Sequence, residues 1–395
     1  MSRAGRRTIC VVTGSRADYG YLRPLMRLAA ADPGCLLQVV VTGMHLWPAF
    51  GDTWREIEAD GFGIDQRVAL PFTGTGALDV AGCVGAAVPL LAAAFQRLEP
   101  DFVVLLGDRY ETFAAALGAL FARVPVAHLA GGDVTEGAFD EALRHGITKM
   151  AHLHFTTNER SSRRVVQLGE DPARVFTVGA TSLDDLLREP PMPRAELERE
   201  LGFTFLARNV LVTYHPVTLD PTPPATQCAE LLGALDDLGA GKELGVVCTA
   251  PNADTGGLDI LALLERWAAG RPGILVRKSL GMRRYFGALA AVDAVVGNSS
   301  SGIYEAPSFK VPTVDIGARQ RGRMRAASVL HCAPGRAAIA DAVGRALALD
   351  CSQVVNPYGD GQASGRILAA LKAEPDPQAL LMKRFFDLPG EGGHV

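Results

Sequence analysis

Short runs of β-branched and aliphatic residues alternate along the chain with longer stretches of helical period, the pattern of parallel strands covered by helices. In the first half the apolar runs are "TICVVTG" (8–14), "LLQVVVTG" (36–43), "DFVVLLGD" (101–108), "VPVAHLAG" (124–131), "HLHFTT" (152–157) and "RVFTVG" (174–179). Between them "ALDVAGCVGAAVPLLAAAFQRL" (77–98) is almost continuously apolar and reads as a helix buried against the sheet. The alternation breaks at "LLREPPMPRAELERELG", where Pro190, Pro191 and Pro193 suit neither a helix interior nor a central strand. It then resumes with "NVLVTYH" (209–215), "ELGVVCTA" (243–250), "GILVRKS" (273–279), "DAVVGN" (293–298) and "VPTVDIG" (311–317).

The pattern predicts an α/β protein of two Rossmann-like, doubly wound parallel-sheet domains facing a cleft. Their expected bounds are 1–188 for the first, 189–207 for a linker, 208–372 for the second, and 373–395 for a last helix and tail. A length of 395 residues fits two cores of ordinary size. In such sheets ligands gather at the carboxyl ends of the strands, and the polar punctuation of this chain sits there.

Composition narrows the partners. With 48% hydrophobic residues, 21% charged and a net charge of −4, nothing favours nucleic acid or an anionic membrane. No run reads as a membrane span and the arginine-rich start lacks a cleavage-type end, so a cytoplasmic protein is expected. Seven scattered cysteines without C-x-x-C spacing point to buried thiols, not to zinc or a disulfide framework.

Each strand end then offers chemistry beside a plainer reading. "VVTGSRADYG" places Arg16 and Asp18 in a loop that suits an anion, or equally a tight turn with Asp18 at a helix N-terminus. It is neither G-x-G-x-x-G nor a Walker A loop, which removes the main support for nicotinamide or P-loop cofactors. "LLGDRYETF" supplies Asp108, Arg109 and Glu111; a carboxylate there is placed for proton transfer with a raised pKa, or pairs with Arg109 or caps a helix. "HLAGGDVTEGAFDEALRHGITK" (128–149) crowds ionisable groups round a glycine pair, with Asp140, Glu141, Arg144 and His145 opening a helix and Arg144 on the side of Asp140.

In the second half "VVGNSSSGIYEAPSF" sets Ser299 and Ser300 at the start of a helix as an anion cradle, with Glu305 one turn on and suited to a ribose diol. Serine capping accounts for the hydroxyls as well. Arg319, Arg321, Arg323 and Arg325 suit a diphosphate or form a solvated loop. His215 donates to a phosphate or caps, and Asn252 and Asp254 lie in a turn sequence.

Taken in order, "VVTGSRADYG", "VTGMHLWPAFGDTWREIEADGF", "LGDRYETF", "DEALRHGITKMAHLHF", "HPVT", "PNADTGG", "GNSSSGIYEAPSF" and "GARQRGR" resemble the hydrolysing UDP-N-acetylglucosamine 2-epimerases of sialic-acid and legionaminic-acid pathways. The resemblance runs from about residue 8 to 330. It implies the two-domain architecture of GT-B glycosyltransferases, a homodimer, UDP held mainly by the second domain, and neither cofactor nor metal. It implies that Arg16, Arg109, His215, Ser299, Ser300 and Arg319 contact the diphosphate or sugar, with Glu305 on the ribose and Asp18 and Asn252 also in the substrate site. Proton transfer would fall to Asp108, Asp140 and Glu141, with His45 and His145 as helpers. The implied reaction expels UDP as the C2 proton leaves, giving a 2-acetamidoglucal, and water then adds at C1 as C2 is reprotonated from the other face.

One segment departs from the family pattern. Where members read His, aliphatic, His or Glu, then Gly-Gly-Glu, this chain has His128, Leu129, Ala130, Gly131, Gly132 and Asp133. Alanine transfers no proton, so either Asp133 or Glu136 reaches inward or the outcome changes. The expected activity is a hydrolysing 2-epimerase of a UDP-activated 2-acetamido sugar. The alternatives are a non-epimerising nucleotide-sugar hydrolase, a GT-B glycosyltransferase, or a non-catalytic nucleotide-sugar binding protein.

Overall fold

The computed structural model describes residues 5–48, 52–71, 77–134, 140–188, 190–217, 222–251 and 257–388. Contacts divide the chain into two units, Met1–Asp185 with Tyr358–Val395, and Leu186–Pro357. The first holds β1 (Arg7–Thr13), β2 (Cys35–Thr42), β3 (Gln66–Val68), β4 (Phe102–Leu106), β5 (Val126–Leu129), β6 (Leu153–Thr156) and β7 (Val175–Thr177). They form one sheet in the order β3-β2-β1-β4-β5-β6-β7, every pairing parallel. The second holds β8 (Arg208–Thr213), β9 (Leu244–Thr249), β10 (Ile274–Arg277), β11 (Ala294–Gly297), β12 (Thr313–Ile316) and β13 (Val329–Cys332), again parallel throughout, in the order β10-β9-β8-β11-β12-β13.

Both sheets are doubly wound, as expected, and each reverses strand order beside its first strand: between β1 and β4, and between β8 and β11. Parallel strands carry helices on both faces, so successive residues fill opposite cores. Ile9 and Val11 pack with Leu22, Leu25 and Met26 on one side of the first sheet, and Cys10 and Val12 pack with Leu91 and Phe95 on the other. In the second sheet Val210 and Val212 meet Leu231 and Ile339, while Leu211 meets Leu197 and Leu289. Burying each such side chain contributes about 1.5–3 kcal/mol. All seven cysteines are buried free thiols, as expected.

The expected domain bounds need correction at two places. Residues 189–207 are not a free linker: a helix spans Arg194–Leu201, and Met192, Leu197, Leu201, Phe203 and Phe205 join the core of the second unit. The chain returns to the first unit after Pro357, so 358–372 does not belong with the second. Ile367 and Leu371 of the Ala363–Ala373 helix pack into the same core layer as Ile9 and Val11. The edge strands β3 and β13 were not expected; "QRV" and "VLHC" are too short to show an apolar run.

The Ala77–Leu98 helix forms where expected. Its Leu78–Leu98 stretch has a mean hydropathy of 1.9 and is long and apolar enough to cross a membrane by length and composition, contrary to the sequence reading. In the fold Ala87, Leu91, Ala94 and Phe95 lie against the sheet, while Leu78 and Leu90 are exposed.

The return of the chain is fastened by Asp184, whose carboxylate accepts the amide N–H groups of Ala363 (3.0 Å) and Ser364 (2.6 Å) at the start of the returning helix. Loss of such a cap costs about 0.5–2 kcal/mol. Asp184→Ala is therefore expected to lower the urea midpoint of the first unit by a corresponding amount, with protection of the Ala363–Ala373 amides falling in hydrogen exchange.

Candidate functional site

In the first unit the loops after β1, β2, β4 and β5 carry the expected residues. Ser15 caps the Arg16–Ala31 helix, and Asp18 at the third helical position answers it. The Asp18 carboxylate accepts N–H from Gly14 (2.8 Å) and Ser15 (2.7 Å) and the Ser15 hydroxyl (2.7 Å). Asp18, expected in the substrate site, is thus turned into its own loop, where it shapes the turn. Arg16 is largely exposed and lies 3.2 Å from Glu56. His45 is buried, with Nε2 3.0 Å from the Thr13 hydroxyl and Nδ1 2.7 Å from that of Thr53. Burial lowers its pKa, which favours the neutral ring.

After β4, Arg109 donates from Nε (3.0 Å) and Nη2 (2.7 Å) to one oxygen of Glu111. Glu111 is 1% exposed and sits against the backbone of Gly14 and Gly43, where an added Cβ would come within 3.1 and 2.8 Å of its Cγ. Its second oxygen takes no hydrogen bond among the described residues, and burial raises its pKa against the opposing effect of Arg109. Glu111 fixes the aim of Arg109 while wedging the loops of three strands together.

The centre of the site is Arg144, 4% exposed. Its guanidinium donates to Asp108 after β4, to Glu141 one turn back on its own helix (2.7 Å), and to the Asp133 carbonyl after β5 (2.8 Å). The sequence reading set Arg144 beside Asp140; the guanidinium charge does act on the Asp140 carboxyl, while hydrogen bonds run from Arg144 to Glu141 and Asp108. Glu141 in turn lies 3.2 Å from His145 Nε2. Asp140, half-buried at the start of the Asp140–Met150 helix, has its pKa raised by burial and then by the charge on Asp108. Two neighbouring aspartates therefore differ: one paired with a buried cation, one held toward its protonated form.

The departure at Ala130 lies in the turn after β5. His128 is buried, donates from Nε2 to the Gly107 carbonyl (2.8 Å), and is held neutral by burial, its pKa pushed down to about 3. Ala130 adopts φ +61°, in the left-handed region, and Gly132 follows at +75°. A Cβ on Gly132 would lie 2.3 Å from the Ser161 carbonyl oxygen, so glycine is required there. Asp133 accepts the hydroxyls of Thr157 (2.7 Å) and Ser161 (2.6 Å) on one carboxylate oxygen, which ties it to the loop after β6. Glu136 lies outside the described residues.

In the second unit His215 and Asn298 form a reciprocal pair across the reversal point: the His215 amide donates to the Asn298 side chain (2.7 Å), which donates to the His215 carbonyl (2.9 Å). Burial and the nearby Arg319 push the His215 pKa down to about 4, leaving a neutral ring. Arg319 and Gln320 both donate to the Asn298 carbonyl (3.1 and 2.8 Å). The four arginines do not act alike: Arg323 donates to Gln320 (2.8 Å) and Arg325 is claimed by buried Asp315 (2.7 Å). Ser299 and Ser300 are half-buried, but the helix after them is the single turn Ser301–Tyr304, so the expected helix N-terminus is weak. Glu305 follows that turn, its pKa raised by burial. Asn252 and Asp254 lie outside the described residues.

The structure thus gathers Asp108, Asp133, Glu141 and His145 round Arg144, and His215 and Arg319 round Asn298. Arg144 and Glu111 stood outside the expected site set. The i, i+3 spacing of Glu141 and Arg144 is a local signal for the former, but its pairing with Asp108 is visible only in the fold.

A family sequence model described as UDP-N-acetylglucosamine 2-epimerase matches residues 28–372. The GDP/UDP-N,N'-diacetylbacillosamine 2-epimerase (hydrolyzing) of Campylobacter jejuni is 36% identical over 326 residues, 82% of this chain and 84% of the relative. The UDP-N,N'-diacetylbacillosamine 2-epimerase (hydrolyzing) of Legionella pneumophila is 34% identical over 95% of this chain and 98% of its own. Among solved structures, the Neisseria meningitidis UDP-GlcNAc 2-epimerase bound to UDP-GlcNAc aligns with a TM-score of 0.75 at 16% identity, over 92% of this chain and 99% of that one. The enzyme from Methanocaldococcus jannaschii aligns at 0.74 and 15% identity, over 93% and 100%. These structural likenesses establish the fold. The family match and the two high-coverage relatives show that the chain belongs to the UDP-N-acetylglucosamine 2-epimerase family.

Proposed function

We propose that the protein is a hydrolysing 2-epimerase of a UDP-activated 2-acetamido sugar, either UDP-N-acetylglucosamine or UDP-2,4-diacetamido-2,4,6-trideoxyglucose, releasing UDP and the free manno sugar. The names of the Campylobacter and Legionella relatives favour the diacetamido sugar. The observation that carries the reading is the set of unlike carboxylates round one buried arginine. Loss of the C2 proton and of UDP from C1 gives the 2-acetamidoglucal; water then adds at C1 and a proton returns to C2 from the other face. That sequence needs two proton-transfer groups of different pKa. Asp108, paired with the Arg144 guanidinium, serves as the base, and Asp140, whose pKa is raised, serves as its proton-donating counterpart. Glu141 and His145 position Arg144, and Asp133 fixes the β5 turn in place of an ionisable residue at 130.

On the leaving-group side, Arg16, Arg109, His215, Ser299, Ser300 and Arg319 are assigned to the diphosphate or sugar, with Asn252 alongside and Glu305 on the ribose. Neutral His215 beside Arg319 supplies a donor without a second buried charge. We place the enzyme in the cytoplasm, which suits seven reduced thiols, as a homodimer. Exposed Leu78, Leu90, Leu120 and Phe121, on two neighbouring helices of the first unit, favour self-association.

Incubation with each sugar nucleotide in deuterated water is expected to release UDP and to place deuterium at C2 of a free manno product; UDP release without label or inversion overturns epimerisation. Asp108→Asn should retain UDP binding while turnover falls by about 10²–10⁴-fold, the usual worth of a proton-transfer group. Asp140→Asn tests the pKa argument. Because the Asp140 pKa is raised, its carboxyl keeps the proton above the ordinary carboxylate range, and a step that draws on that proton fails as pH rises through the raised value. The basic limb of kcat/KM set by this group should be present in the native enzyme and vanish in the variant. Phe121→Glu should shift the mass measured by light scattering from dimer to monomer.

A further inference from the structure

A second cluster of charge lies at the opposite end of the first sheet, among the residues that precede β6 and β7. It surrounds a cavity of about 340 Å³ between His152, Glu170, Arg174 and the C-terminal segment that includes Lys383, Arg384 and Phe385. Glu170, 1% exposed, accepts Lys149 (2.6 Å) on one oxygen, and His154 (2.9 Å) and Lys383 (2.6 Å) on the other. Those partners push its pKa down to about 2. Lys383 also donates to the carbonyls of Lys149 (2.8 Å) and Ala151 (2.6 Å), which occupies its three N–H groups. Glu170 and Lys383 therefore satisfy each other and leave nothing for a ligand.

What remains is a set of donors. The His152 ring, 4% exposed, accepts the Val126 amide N–H on Nδ1 (3.1 Å), so its proton is on Nε2. Burial keeps the ring neutral, with a pKa of about 4. Its Nε2–H meets no acceptor among the described residues and the ring lines the cavity. Arg174 makes one long contact, 3.4 Å to the Leu380 carbonyl, and Arg384 is exposed without a partner among the described residues. Asp171, the other acid of the lining, accepts the Ala173 amide (2.9 Å) within its own turn. Phe385 adds an apolar wall, its ring packed on Gly169 and 4.8 Å from the Lys149 ammonium.

We propose that this cavity is a binding site for a small oxyanion carrying an apolar body, held by the His152 Nε2–H and the Arg174 and Arg384 guanidiniums. A carboxylate and a phosphate share the needed chemistry: each offers oxygens to one neutral and two charged donors. The cavity has room for a body beyond the anion itself, and Phe385 is placed to cover it. Five of the nine lining residues come from the 382–386 segment, so occupancy stabilises the docking of that segment on the sheet.

The test is calorimetric titration of the full chain with benzoate and, separately, inorganic phosphate, in a buffer of constant chloride. Saturable one-site binding of at least one probe is expected, weakened at least tenfold by Arg174→Gln and by Arg384→Gln, with UDP release from the sugar nucleotide unchanged. Arg384 is exposed, so its variant is expected to fold even where Arg174→Gln does not. Stronger binding of benzoate assigns a carboxylate with an apolar body; stronger binding of phosphate assigns a phosphate ester. No saturable binding of either probe, or binding indifferent to both substitutions, overturns the site.

Discussion

The buried guanidinium of Arg144 is the constraint on which the first unit's chemistry depends. Withdrawing an arginine from water costs several kcal/mol, and the cost is offset only when its hydrogen bonds are matched by well-placed acceptors. Here the acceptors come from the loop after β4, the loop after β5 and the arginine's own helix. The position of each is thereby tied to the other two. The same bonds that make the burial tolerable hold the Asp108 carboxylate in one place beside the guanidinium.

The two reversal points of strand order do related work by different means. At β1 and β4 the loops are wedged by a buried carboxylate, Glu111, pressed between two glycines. At β8 and β11 they are clamped by neutral groups, the Asn298 amide and the backbone of His215, and Gly297 adopts φ +142° where a Cβ would lie 2.0 Å from the Thr213 carbonyl oxygen. The first reversal point is thus held by a carboxylate paired with Arg109, the second by neutral groups.

Much of the fold was legible because strands buried on both faces read as continuous apolar runs. "TICVVTG" and "NVLVTYH" needed no periodicity argument, whereas β3 and β13, at sheet edges and three or four residues long, left no such trace. The candidate site was legible as a neighbourhood but not as a set of partnerships. Asp18 carried a local sign of its true place, since Ser15 three residues before it makes a capping box. An aspartate inside the apolar run "VPTVDIG" similarly marks Asp315 as a buried partner for a cation, and Arg325 answers it. Asp108 and Arg144 are far apart in sequence and share no pattern, so only the parallel packing of β4 beside β5 brings them together.

The crossing of the chain back into the first unit has a consequence for how the protein is made. Residues 186–357 form an insert whose two ends are held at adjacent points, the Ala180 amide on the Tyr358 carbonyl (2.7 Å) and Asp184 on the Ala363 amide. Synthesis runs from the N-terminus, and domains fold as their chains emerge. The second unit is therefore complete while the first still lacks the Ala363–Ala373 helix that closes one face of its sheet. The unit begun first is the unit finished last, and until then its exposed sheet face is the surface at risk of misassembly.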